Sequence, residues 1–254
     1  MNAYWQLPLL FATGLAAGFV DSIAGGGGLI TLPVLLSLGL GPQEALGTNK
    51  LQGTFGSGSA AAHYAAAKTV SLHDCARGFV YTLLGAALGA LAVQEVNPTF
   101  LRRAIPLLLI LVAAYLLVKP KLGTEDLHPR MARGYFDLVF GLALGFYDGF
   151  FGPGTGTFWA MAYMLGLGFN MTRATGYTKV MNFASNLSSL ALFSIGGKIY
   201  YAMGLTMGLG QLVGARIGSR MVITRGTRFI RPIFLTVVFA LTLKLLYDAY
   251  VNHR

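Results

Sequence analysis

The amino-acid sequence predicts an all-α, polytopic membrane protein built from two inverted repeats. Each repeat is expected to hold a broken or re-entrant helix pair and three spanning helices, about eight transmembrane helices or ten helical segments in all. Three observations carry this. Of the 254 residues, 55% are hydrophobic and only 11% are charged, about half the charged share of a soluble domain. Apolar runs such as Phe79 to Val93, extended by flanking neutral residues, and Leu101 to Val118 reach about 18 residues, the length that spans bilayer hydrocarbon. A glycine-rich break with an aspartate occurs twice, as Gly18-Phe19-Val20-Asp21-Ser22-Ile23-Ala24-Gly25-Gly26-Gly27-Gly28 and as Gly145-Phe146-Tyr147-Asp148-Gly149-Phe150-Phe151-Gly152-Pro153-Gly154. Glycines cost a helix roughly 1 kcal/mol each against alanine, so the helix is expected to break at both places. At membrane depth a break survives only where protein buries it or a cavity meets it. Two of them in corresponding positions of two halves point to a transporter's binding site.

Taken in order, the first span runs from Tyr4 to Val20, with Tyr4 and Trp5 as interfacial anchors. Leu29 to Leu40 is too short to cross and reads as a half-helix or re-entrant arm. Gly39-Leu40-Gly41-Pro42 turns the chain into a polar helix from Glu44 to Ala67. On it Asn49, Gln52, Gly56, Ser59 and His63 share one face by three-and-four spacing. That face should look inward, because small residues permit close helix approach and polar groups are costly against lipid. Spans follow at Leu72 to Val93 and Phe100 to Val118, then a hydrophilic connector from Lys119 to Arg133. In the second half Tyr135 to Phe150 leads into the second break, and Thr155 to Leu167 is the second short arm. Thr172 to Ile195 is the second polar helix, and Ile199 to Met221 and Phe229 to Val251 are the last spans.

The halves match residue by residue. Gly18, Phe19, Asp21, Gly25 and Gly27 correspond to Gly145, Phe146, Asp148, Gly152 and Gly154 at one offset, which Gly39-Leu40-Gly41 and Gly166-Leu167-Gly168 share. After a two-residue insertion, Ala45, Gly47 and Lys50 correspond to Ala174, Gly176 and Lys179. Ordered Asp and Lys matches point to duplication, since glycine matches alone could arise by chance. The first repeat is residues 1–118, the basic cytoplasmic connector 119–133 and the second repeat 134–254.

Charge orients the repeats. If each short arm makes a hairpin with the span before it, each half changes sides an odd number of times and the repeats are inverted. Lys68, Arg77, Lys119, Lys121, Arg130, Arg133, Arg173, Arg220, Arg225 and Arg228 then fall on one side, and Arg102, Arg103, Lys198 and Arg254 on the other. The richer side is cytoplasmic and both termini face out. A single crossing by each broken element would make the halves parallel, with a poorer charge split.

The net charge of +10 does not signal nucleic acid, because the basic residues sit in short loops between apolar spans rather than in a stripe. A single cysteine, Cys75, supports neither a disulfide framework nor a metal cluster. Met1 to Tyr4 lacks a positive n-region, so no cleavable signal peptide is expected. No Ser-His-Asp set, His-Glu-x-x-His, Walker loop or Cys-x-x-Cys is present, and the Gly-x-Gly patterns do not follow a strand. The expectation is a protein without catalysis, cofactor or metal, with an intramembrane enzyme as the least favoured alternative.

The candidate site residues gather around the breaks. Asp21 and Asp148 have two open readings: proton-coupling or gating carboxylates, or caps for the N–H groups that a break exposes. Lys50 and Lys179 either attract an anion, beside Thr48-Asn49 and Tyr177-Thr178, or snorkel to headgroups or pair with Asp21 or Asp148. Backbone N–H groups of Gly25, Gly26 and Gly27, and of Gly152 and Gly154, could cradle an oxyanion as a nest does, or simply turn the chain. Asn49, Gln52, Thr178, Asn182, Asn186 and Ser189 are neutral groups for a substrate or for helix–helix hydrogen bonds. His63 lies near the far end of its helix, and an interfacial or packed role suits it better than proton carriage.

Those residues carry a resemblance. Gly18 to Gly28, followed by Gly47-Thr48-Asn49-Lys50-Leu51-Gln52, and Gly176-Tyr177-Thr178-Lys179-Val180-Met181-Asn182-Phe183 resemble the motifs of the sulfite exporter TauE/SafE family, also called the toluene sulfonate uptake permease family. The second break departs from a glycine run, reading Gly-Pro-Gly-Thr-Gly, which breaks strict symmetry between the two sites. The resemblance implies a multi-pass permease of the bacterial inner membrane for sulfite, sulfonates and related small anions. The expected partners are a small anionic substrate, the bilayer and protons as coupling ion, with one half moving against the other. An anion channel of the same architecture is the alternative. Substrate, direction and oligomeric state stay open.

Overall fold

The computed structural model describes residues 6–118 and 126–225. Among these the chain is all helix: α1 (Gln6–Ala24), α2 (Gly27–Ser37), α3 (Pro42–Ala66), α4 (Leu72–Glu95), α5 (Pro98–Val118), α6 (Arg133–Phe150), α7 (Thr155–Leu167), α8 (Met171–Ile195) and α9 (Tyr201–Arg225). The anchors Tyr4 and Trp5, most of the connector with Lys119 and Lys121, and the last span from Phe229 with Arg228 and Arg254 lie outside the described residues. Gln6–Ile23 and Leu72–Glu95 are each long and apolar enough to cross a membrane. The polar helices α3 and α8 are as long, at 25 residues each, but bury amides and hydroxyls instead. The architecture is that of a polytopic helical membrane protein.

Local chemistry sets the helix limits. Pro42 occupies the first turn of α3, and Glu44 reaches back to accept from Gly41 N–H at 2.9 Å, so α3 begins before the expected Glu44. Asn170 caps α8 by accepting from Arg173 N–H at 2.9 Å. The second break falls where expected, between Phe150 and Thr155, and the first is shorter than expected. α1 runs through Asp21 to Ala24, and α2 resumes at Gly27. Only Gly25 and Gly26 stay outside, Gly25 at φ +76 with its N–H on Asp21 O. Such a φ suits glycine, while the other two glycines of the run simply open the next helix.

The equivalent helices α3 and α8 pack antiparallel. Gly47 at the start of α3 lies against Phe193 near the end of α8, and Gly176 near the start of α8 lies against Tyr64. Midway, Asn186 Nδ2 donates to Ser57 Oγ at 3.2 Å. Helices related by the repeat that run in opposite directions make the repeats inverted. Charge agrees. Arg77, Arg133 and Arg173 line one surface concavity of about 740 Å³, whereas Lys198 lies at the other end, its carbonyl against Gly47.

The repeats also exchange helices. α1 packs along α9, and α6 along α4, in parallel seams where glycines bring backbones together. A Cβ on Gly14 would lie 2.1 Å from Met207 O, and one on Gly149 2.1 Å from Ala86 O. α3 joins the first seam through Ser59 Oγ, which donates to Leu212 O at 3.0 Å. α8 joins the second through Ser188 Oγ, which donates to Leu83 O at 2.8 Å. The packed bodies are therefore α1–α2–α3–α9 and α4–α6–α7–α8. Each contains helices of both repeats, because the fourth helix of each repeat packs on the first helix of the other.

Candidate functional site

The two breaks meet between these bodies. A Cβ on Gly25 would fall 2.5 Å from Gly156 Cα, and Thr157 Oγ1 donates to Gly25 O at 3.4 Å. Around this contact lies a cavity of about 40 Å³, room for roughly two to four waters. Of the expected residues, Asp21, Gly25, Gly27, Asn49, Gln52, Asp148, Gly152, Gly154, Asn182 and Asn186 line it. Gly26 caps α2 beside it. Thr178 is not brought there: its hydroxyl donates to Ala174 O within α8 at 2.8 Å. Ser189 is buried without a hydrogen-bond partner.

The lysines form crossed ion pairs. Lys50 of α3 holds Asp148 of α6, Nζ to Oδ1 2.7 Å, and Lys179 of α8 holds Asp21 of α1, Nζ to Oδ2 3.0 Å. Each pair joins one repeat to the other and one packed body to the other. The lysine side chains are 1% and 0% exposed, so neither snorkels. A cation so deep in protein requires its partner, and the open reading of Lys paired with Asp is the one the geometry realises.

Asp21 also caps, its Oδ1 accepting from Gly27 N–H at 3.2 Å. Ion pairing and capping, two roles open to that carboxylate, thus coexist on its separate oxygens. Asp148 is held differently. Lys50 also donates to its backbone carbonyl, and Ser185 Oγ donates to its Oδ2.

A neutral network completes the cavity. Thr31 Oγ1 and Gln52 Nε2 both donate to Asn49 Oδ1, each at 2.6 Å. Gln52 Oε1 and Asn182 Oδ1 are buried without a partner among the described residues. Sequence reasoning missed Thr31, Ser185 and Gln211. Thr31 and Gln211 are isolated polar groups in apolar helices, which is a usable signal. Ser185 is one of several serines on α8, and nothing in its spacing singles it out.

Two residues stand apart from the cavity. His63 Nδ1 lies 2.8 Å from Ser219 Oγ, tying α3 to α9. Cys75 is a buried free thiol. No group of His, Cys, Asp and Glu that could hold a metal ion occurs among the described residues.

Comparison with known proteins gives the same architecture a lineage. A probable membrane transporter protein YfcA of Escherichia coli K12 is 46% identical over 244 residues, covering 96% of this chain and 91% of the relative. A probable membrane transporter protein of Haemophilus influenzae is 44% identical, covering 95% of each chain. A more distant one, YunE of Bacillus subtilis, is 24% identical over 265 residues. No solved structure matches the chain significantly. The model of the sulfite exporter TauE/SafE family matches residues 10–245, and the chain belongs to that family.

Proposed function

We propose that the protein is a proton-coupled secondary transporter of small sulfur-containing or organic anions, such as sulfite or sulfonates. One observation carries the reading: two buried lysines, each neutralised by an aspartate of the opposite repeat, clasp the two packed bodies around the cavity where the helix breaks meet. A buried cation neutralised by a titratable carboxylate can accept a substrate anion once a proton takes over that carboxylate. The bodies that move are α1–α2–α3–α9 against α4–α6–α7–α8, rather than one repeat against the other. The family and its bacterial relatives support a bacterial membrane, and the charge split of the loops supports an inner-membrane orientation with the arginine-rich end cytoplasmic and both termini outside. Transport, not catalysis, is the activity that such a site supports. An anion channel has less support, because Gly25 and Gly156 close the centre backbone to backbone.

The test is flux of sulfite and methanesulfonate into proteoliposomes, with and without a pH gradient. The expected result is saturable flux driven by the gradient and reduced at least tenfold, roughly, in Lys50→Ala and Lys179→Ala. Flux that is unchanged in both variants removes the site, and flux indifferent to the gradient favours the channel.

A further inference from the structure

The two ion pairs are related by the repeat, yet they are not equivalent. Asp148 has both oxygens held by side chains, Lys50 and Ser185, and is 7% exposed. The residue that corresponds to Ser185 in the first repeat is Gly56, where a Cβ would meet Gln211 Oε1 at 2.0 Å. Asp21 therefore has no hydroxyl on it. Its Oδ2 takes Lys179 and its Oδ1 takes the first N–H of α2, an 11-residue helix, and its side chain is 20% exposed, on a residue that lines the cavity.

Two oxygens, one on a buried lysine and one on a helix N-terminus, are what a bound oxyanion would show. The same cavity holds what a neutral carboxyl needs. Gln52 Oε1 and Asn182 Oδ1 are unpartnered acceptors on residues 1% and 5% exposed. A protonated carboxyl is an O–H donor in search of an acceptor.

We infer that the Asp21 carboxylate is a tethered stand-in for the transported anion, seated in the substrate's own oxyanion site on Lys179 Nζ and Gly27 N–H. This deepens the transport reading above and rests on it. A proton from water binds the carboxylate, and the neutral acid turns toward the amide oxygens of the cavity. Lys179 and Gly27 N–H then receive one oxyanion group of the substrate. The charge of the site is unchanged, so one proton enters with each monovalent anion. The Lys50–Asp148–Ser185 cluster stays closed and serves as the fixed clasp.

Among the described residues, the charged and titratable groups around Asp21 are few. Lys179 faces it from α8, and the Lys50–Asp148 pair of α3 and α6 stands across the cavity. Tyr64 of α3 donates to the neighbouring Ser22 O. α2, α7 and α9 present Gly27, Thr155 and Gln211.

The experiment measures methanesulfonate binding to the full-length protein in detergent across pH, since this probe stays ionised throughout. Wild-type affinity should rise as pH falls, by up to about tenfold per unit. Asp21→Asn keeps the shape without the charge, and should bind at least about tenfold tighter than wild type at pH 7 with no pH dependence. An Asp21→Asn protein that retains the slope overturns the assignment. Proton uptake by the wild type in weak buffer needs no variant: about one proton per methanesulfonate bound is expected, and none overturns the inference alone. A wild type that binds neither methanesulfonate, sulfite nor acetate overturns the transport reading itself.

Discussion

The glycine seams and the α3–α8 crossing are both interfaces between helices of different repeats, and they are built in opposite ways. Along α1–α9 and α4–α6 the backbones touch, with glycine faces set directly against neighbouring carbonyls. Close-packed backbone has one good register, and a shift of a fraction of an ångström meets steep repulsion. Around α3–α8 the glycines meet side chains such as Phe193 and Tyr64, and the rest is polar side chains, two ion pairs and a cavity with oxygens unpartnered among the described residues. Such contacts, unlike fused backbones, can be exchanged for water, protons or ligand, provided each buried charge keeps a partner. The seams build the two packed bodies, and the crossing is where those bodies would part if the proposed transport motion occurs.

The seam should be the most sensitive place. At Gly149 a Cβ would lie 2.1 Å from Ala86 O and 2.8 Å from its C and Cα, so a larger residue must displace a whole helix. Gly149→Leu should destabilise by more than about 3 kcal/mol, seen as loss of the monodisperse protein or a large fall in thermal unfolding temperature. Leu88→Ala, at a residue 59% exposed on the neighbouring helix, should change it little, by about 0.5 kcal/mol. Equal effects at both positions would remove the distinction between seam and surface.

The crossing should respond to charge, and in pairs. Lys50→Ala leaves Asp148 buried and unpaired, at a cost of about 3–5 kcal/mol, and replacing both partners by apolar residues should recover most of it. Lys179→Ala should cost less, because Asp21 keeps the Gly27 N–H and faces the cavity. Thermal unfolding of the two single variants and the Lys50→Met/Asp148→Leu double variant checks this. A double variant as unstable as Lys50→Ala would show that packing around Lys50, not its charge, holds the crossing.

How much of this was readable in the chain depends on whether the property is local. Broken helices beside Asp21 and Asp148 follow from glycine energetics; the second break falls at its expected limits, and the first is narrower only because glycine tolerates helix as well as turn. The four-residue spacing of Gly141, Gly145 and Gly149 and of Gly210, Gly214 and Gly218 is plain in the sequence, but spacing does not say which helix a seam faces. Pairing of a lysine with an aspartate was one of two open readings. That each pair crosses between repeats required the exchanged packing of α1 on α9 and α6 on α4. Asn49 and Gln52 were found from their shared face. Thr178 was not separable from them, because a buried threonine can spend its hydroxyl on the carbonyl one turn back.

His63 gives the smallest expected effect and the cleanest control on the crossing. It lies on the same polar helix as Lys50 and Gln52, but its Nδ1 meets Ser219 Oγ at 2.8 Å on α9, within one packed body rather than between the two. Ser219 is buried, but its hydroxyl also donates to Arg216 O at 3.2 Å, so it keeps a partner when the ring is removed. His63→Ala should therefore cost about 0.5–1.5 kcal/mol of stability and leave anion flux and its dependence on the pH gradient as in the wild type. If the variant keeps its fold but loses gradient dependence in proteoliposomes, a proton path runs along α3 to the α9 side. The polar face of α3 would then belong to the transport route over its whole length, not only where it meets α8.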